Sequence, residues 1–210
     1  MFRPYKDHAA NAIYELLFCD HPEGFRNVAP KPGVALHALF AEPLEEASVR
    51  AIADDQNAQA RLRVLAWNRL RGAGKPVPSR GLFGVIVEAP LEQGLDTLAA
   101  YIDGRIRYIN QSGKMEIVEA PPSPELHALL KALMDASQAV VNRIGPWDGA
   151  RLPPPTDGRT RMTFLVSDGL YFGEGPMKDL MRDALAGPLL QAAGDLLNAV
   201  VDSALARSNS

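Results

Sequence analysis

Five side chains of this sequence have the types and spacing of a small-molecule site: Tyr101, Tyr108, Asn110, Trp147 and Asp148. Tyrosine and tryptophan offer flat apolar walls with a polar tip, and a few amide or carboxylate groups among them fix a ligand's orientation. A hydrolytic site would draw on Tyr108, Asn110 and Asp148, with His127 as a fourth member. The sequence sets no nucleophile and no acid–base pair beside them, so the plainer reading packs the tyrosines under a helix with their hydroxyls satisfied at its edge.

Other chemistry is weaker on its own terms. Cys19-Asp20-His21 brings soft and hard ligand types together, but His8, His37 and His127 stand at no ligand-like spacing from it, and no metal site is expected. Asp20 beside Cys19 also discourages a thiolate, although His21 would favour one. Gly72-Ala73-Gly74-Lys75 resembles the end of a phosphate-binding loop, yet Pro76 stands where a Ser or Thr would hold magnesium and a helix precedes the glycines. A connection between elements is the better reading, and no cofactor is expected. Asn110-Gln111-Ser112 has the form of a glycosylation sequon but sits at a turn. Arg61, Arg63, Arg69 and Arg71 could touch phosphates, although basic residues on a solvated helix face are commoner. Glu174 and Asp179 flank a helix start, where acids stabilise the dipole.

The elements that must position these residues centre on 82–119. Leu82 to Val87 is a nearly continuous apolar run, followed by short segments that fold back at Asp103-Gly104 and Ser112-Gly113, dipeptides that signal hairpins. With two-residue turns, Tyr101 faces Ile106, Ala99 faces Tyr108, Thr97 faces Asn110, Met115 faces Asn110 and Ile117 faces Tyr108. Tyr101, Tyr108, Asn110 and Met115 then share one face, opposite Arg105, Arg107, Lys114 and Glu116. Ser123-Pro124-Glu125 opens a helix whose stripe runs from Leu126 to Ile144. Residues 146–159 are an irregular Pro-rich loop carrying Trp147 and Asp148, a length often associated with function. A second hairpin is expected to turn at Asp168-Gly169, and after a helix entered at Pro176 and a break at Gly187-Pro188, an amphipathic helix runs from Leu189 to Leu205.

Residues 1–75 read as helical: 6–18, a segment opened by Pro43, and 56–71. Gly72 to Pro78 separates them from 76–210, an α+β sheet domain. Seventy-five residues of short helices have little core of their own, so they are expected to pack on the rest, within one domain if the contact is continuous. The fold class is therefore α+β: an antiparallel sheet of about six strands, ordered as four strands, helix, two strands, helix, with an N-terminal helical layer. The first choice for its layering is two layers, with the helices on one face.

Composition narrows the function class. The 210 residues are 47% hydrophobic and 22% charged, ordinary for a soluble globular protein, and the net charge of −3 gives no general attraction to nucleic acid. One cysteine precludes an internal disulfide, and no run of some 18 apolar residues suggests a membrane span. Without the apolar core of a signal peptide in the first residues, a cytoplasmic location is expected. The leading expectation is a non-catalytic domain that binds a protein partner or a small ligand, with a homodimer as one form of partnership; the alternative is a hydrolase with a pocket over the sheet.

Overall fold

The computed structural model describes residues 2–26, 36–119, 123–156 and 158–208. Three helices come first, α1 (His8–Leu17), α2 (Glu46–Asp54) and α3 (Ala60–Gly72), with short 3-10 turns at Pro22–Phe25 and Leu36–Phe40. Four strands follow, β1 (Leu82–Leu91), β2 (Gly94–Tyr101), β3 (Ile106–Ile109) and β4 (Met115–Val118), then α4 (Pro124–Val141). The hairpin of β5 (Arg159–Val166) and β6 (Gly169–Pro176) leads to the single turn α5 (Met177–Leu180) and the long α6 (Ala186–Ser208). All strand pairs are antiparallel, in the order β4-β3-β2-β1-β5-β6.

Local chemistry explains the helix starts. Asp7 caps α1 by accepting the Ala10 amide at 2.8 Å, and Ser123 caps α4 by accepting the Leu126 amide at 3.3 Å. The expected break at Gly187-Pro188 instead lies in the first turn of α6, where proline's missing N–H leaves no intrahelical bond unmade.

Helices cover both faces of the sheet, so the expected two-layer arrangement gives way to three layers. Ile86, Ala99, Tyr101 and Leu165 pack with Tyr14, Leu17, Leu65 and Leu70 of the N-terminal helices. Val85, Val87, Ala100 and Phe164 pack with Leu133 of α4 and Leu189 and Leu196 of α6. The described N-terminal helices therefore share an apolar core with the sheet. The physical reason is visible in β1, whose successive apolar residues suit a strand buried on both sides.

The hairpin register differs from the two-residue turns by one residue. Ala100 pairs with Ile106, Ala99 with Arg107 and Leu98 with Tyr108; on the next strand Tyr108 pairs with Glu116 and Ile109 with Met115. Each loop has three residues, because Ile102 joins Asp103-Gly104 and Gln111 joins Ser112-Gly113. The Tyr101 amide donates to the Arg105 carbonyl at 3.0 Å, and the Asn110 amide to the Lys114 carbonyl at 2.9 Å. Only the last residue of each loop takes a left-handed conformation, Gly104 at φ +92° and Gly113 at φ +88°, whereas a two-residue type I′ turn would force Asp103 or Ser112 there too. Asp103 instead accepts the Ala60 amide at the start of α3 at 2.8 Å and pairs with Arg105 at 2.8 Å. One added residue per turn exchanges faces, so Tyr101 and Tyr108 lie on opposite sides of the sheet. The third hairpin turns at Ser167-Asp168, one residue earlier than expected, because Val166 pairs with Gly169.

Gly84 shows why the central strand tolerates so large a neighbour. It pairs with Tyr101, and a Cβ there would lie 2.8 Å from the Ala100 carbonyl oxygen and 2.9 Å from the Tyr101 ring. Gly84→Ala is expected to lower stability by about 1–3 kcal/mol through overpacking. Urea unfolding monitored by circular dichroism measures it, and an unchanged midpoint would contradict this packing.

Candidate functional site

Of the five sequence-derived site residues, the structure brings two together, Trp147 and Asp148. Tyr101 is fully buried on the N-terminal helix face and donates its hydroxyl to the Leu17 carbonyl at 3.0 Å; burial pushes its ionisation up. Tyr108 lies on the opposite face and donates to Asp96 at 2.8 Å. Asn110 closes its own turn, its side-chain oxygen accepting the Ser112 and Lys114 amides at 3.0 and 3.1 Å. His127 is exposed on α4. A hydrolytic assembly of Tyr108, Asn110, Asp148 and His127 is not formed.

Trp147 and Asp148 belong to a loop held by two arginines. The Arg151 side chain is 6% exposed; its Nη2 donates to Glu15 at 2.6 Å and its Nε to Asp20 at 2.7 Å, while its guanidinium lies 4.1 Å from the centre of the Phe18 ring. Burial opposes the charge, but the Asp20 and Glu15 carboxylates more than offset this and raise its pKa above the ordinary arginine value. Glu15 is completed by the Phe2 amide at 2.6 Å. From β5, Arg161 donates to the Pro153 carbonyl at 2.7 Å and the Leu152 carbonyl at 3.3 Å, and pairs with Glu174 at 2.5 Å. Glu174 is thus a structural partner of Arg161 and Arg159.

Between these anchors the loop is tightly folded. The Trp147 amide donates to the Leu170 carbonyl at 2.7 Å, its indole N–H to the Ala150 carbonyl at 3.0 Å, and its ring meets Phe172 edge-on with centres 5.2 Å apart. Gly149 lies against the indole so closely that a Cβ would be 2.7–2.9 Å from it. Trp147 as a whole remains 42% exposed.

The result is a cleft of about 760 Å³ between this loop, the 20–21 turn and the C-terminal end of α3. Asp20, His21, Asn68, Arg71, Asp148 and Asp168 supply its polar groups, and Trp147 its aromatic wall. Arg71 ties the walls together, donating to the Asp168 carbonyl and to the Asn68 side chain, both at 3.1 Å. Asp168 accepts the Tyr171 hydroxyl and the Arg80 amide, each at 3.2 Å. Asp148 is exposed and makes no hydrogen bond or ion pair among the described residues, whereas Asp20 Oδ1 and Arg151 Nη1 are buried without a hydrogen bond. His21 Nε2 stands 4.0 Å from Asp20 Oδ1, beyond hydrogen-bonding distance.

The remaining sequence candidates are structural. Cys19 adopts φ +54°, its thiol is buried, and burial pushes its pKa up to about 12, which keeps it protonated and unreactive. Its carbonyl accepts the Asn68 side chain at 2.9 Å. Among the described residues no group of three metal-ligating side chains converges. Lys75 pairs with Glu46 at 2.8 Å, Arg63 donates to the Ala53 carbonyl at 3.0 Å, and Arg69 binds the Ala41 carbonyl at 2.8 Å together with Glu42. Each of these cations is engaged within the fold.

Behind the loop, Glu88 is fully buried on β1. Tyr14 donates to its Oε1 at 2.6 Å, and its Oε2 has no partner among the described residues. Burial raises its pKa, a shift that the Tyr14 hydrogen bond and the nearby Arg161 and Arg151 reduce without reversing. Sequence reasoning missed Glu15, Glu88 and Arg151; an acid amid the apolar run of β1 was the one available signal.

No protein-family model matches this chain, and no curated protein matches it.

Two predictions follow from the buried charges. Arg151→Met is expected to cost about 3–5 kcal/mol, because it strands two partly or fully buried carboxylates, and adding Glu15→Gln and Asp20→Asn returns part of that loss. Urea midpoints of the single and triple variants test it. A carboxyl whose folded pKa is raised contributes its stability below the unfolded value and loses it as pH rises through the folded one. Glu88→Gln should therefore gain stability relative to the parent as pH rises from 4 to 8; a difference that is constant or shrinks over that range would contradict the assignment.

Proposed function

We propose that this protein is a non-catalytic binding domain and that its ligand is a small polar molecule with a flat face, held in the cleft beside Trp147 and Asp148. The observation that carries this reading is the half-exposed Trp147 set in a concavity that the neighbouring, exposed Asp148 carboxylate also lines. A ring lying on the indole would bury apolar surface, and its polar edge would meet Asp148, Asp20 and Asn68.

The cleft's chemistry favours holding over turnover. Arg71 and Arg151 are bound to carbonyls and carboxylates that fix the walls. Asp20 and Asp168 likewise spend hydrogen bonds on the frame. Such a site is rigid before the ligand arrives, which reduces the ordering cost of binding.

The protein's two tryptophans make the test direct, because Trp67 is buried in α3 and Trp147 lines the cleft. A panel of polyols, amino acids, nucleosides and small amines is screened by thermal shift and by tryptophan fluorescence. At least one class is expected to raise the melting temperature saturably, by about 2.7 kcal/mol of stabilisation at 100 times Kd, and to change the Trp147 emission. Asp148→Asn should weaken that ligand about fivefold with folding unchanged. Saturable binding that survives both Trp147→Ala and Asp148→Asn at full affinity would overturn the proposal.

A further inference from the structure

A second concavity lies on the other side of the sheet, where α6 crosses β1 to β3. It holds about 120 Å³, walled by Val87 and Leu98 from the sheet and Leu190 and Leu197 from α6, with Met177 at its side. An engineered apolar cavity of about 150 Å³ is known to accept benzene, so the space suits one small ring or a short alkyl chain.

Two features give it the character of a pocket. Gly194 lines it from the middle of α6, where glycine is about 1 kcal/mol worse than alanine, and a Cβ placed there would meet nothing within 4 Å. A side chain at this position would therefore clash with nothing already packed there. At the rim, the half-buried Asp96 accepts the Tyr108 hydroxyl at 2.8 Å and the Gln111 amide at 2.7 Å. Both donors are neutral, and among the described residues no lysine, arginine or histidine pairs with this carboxylate. An apolar cavity with an uncompensated anion at its mouth is complementary to a cation carrying an apolar group.

We propose that this pocket binds a short alkyl- or arylalkylammonium ion, its hydrocarbon part against Val87, Leu98, Leu190 and Leu197 and its ammonium on Asp96. Tyr108 orients that carboxylate through its hydroxyl. The site is separate from the Trp147 cleft, on the opposite face, and does not depend on the function proposed for it.

The test uses the full chain with labelled Val and Leu methyl groups, titrated with benzylamine, benzyl alcohol and phenylacetate at pH 7 in methyl NMR spectra. Benzylamine is expected to shift the Val87, Leu98 and Leu197 methyls saturably, binding about fivefold more tightly than the alcohol, with the carboxylate weakest. Asp96→Asn should remove the preference for the amine, and Gly194→Leu should abolish binding of all three by filling the space. Equal affinity for the three probes, shifts confined to residues outside the pocket, or binding that persists in Gly194→Leu would each overturn the proposal; the wild-type comparison of the three probes does so without reliance on any variant's folding.

Discussion

The buried guanidinium of Arg151 ties the irregular loop of this protein to its first helix. Burying it is expensive, and the expense is offset because Glu15 and Asp20 each supply a carboxylate oxygen and Phe18 supplies a ring face. The arrangement joins α1, the turn after it and the loop between α4 and β5. Arg161, the Trp147 amide and the Trp147–Phe172 ring contact hold the same loop to the sheet. The cleft exists because these bonds fix both of its walls.

The two faces of the sheet have different chemistry. Toward the N-terminal helices the core is threaded with polar contacts: Tyr5 with Thr97 at 2.7 Å, Tyr14 with Glu88, and Tyr101 with the Leu17 carbonyl. Each hydroxyl is buried and satisfied, and such pairs favour one arrangement of helix on sheet because a shifted packing would leave them unmade. Toward α4 and α6 the contacts are mostly aliphatic, with Leu130, Leu133, Leu189 and Leu196 meeting Val85, Phe164 and Val166. The polar face adjoins a polar cleft, and the apolar face leaves an apolar pocket under α6.

Much of the architecture was legible from short-range signals. Ser123-Pro124-Glu125 marked the start of α4, Gly72 to Pro78 the passage from helices to sheet, and the 3-4 spacing from Leu189 to Leu205 the last helix. The number and sequence order of the strands followed from the apolar runs and the glycine turns. The register did not, because dipeptides such as Asp103-Gly104 fit a two-residue loop and the end of a three-residue loop equally well. The difference lies in whether Asp103 must take a positive φ, and its bond to Ala60, 43 residues away, selects the longer loop. A slip of one residue then separated Tyr101 from Tyr108 and dissolved the tyrosine face. Trp147 and Asp148 were legible as loop residues of functional type. Their surroundings were not, since Arg151 reaches Asp20 and Glu15 across 131 and 136 residues of sequence, and neither spacing nor periodicity encodes such contacts.

Amide hydrogen exchange of the unliganded wild-type protein tests most directly whether the cleft is preformed. The Trp147 amide, bonded to the Leu170 carbonyl, should be protected to a degree comparable with the amides of β6. Exchange of that amide at the rate of an unstructured peptide, while β6 remains protected, would show that the loop is not fixed to the sheet and would contradict the account.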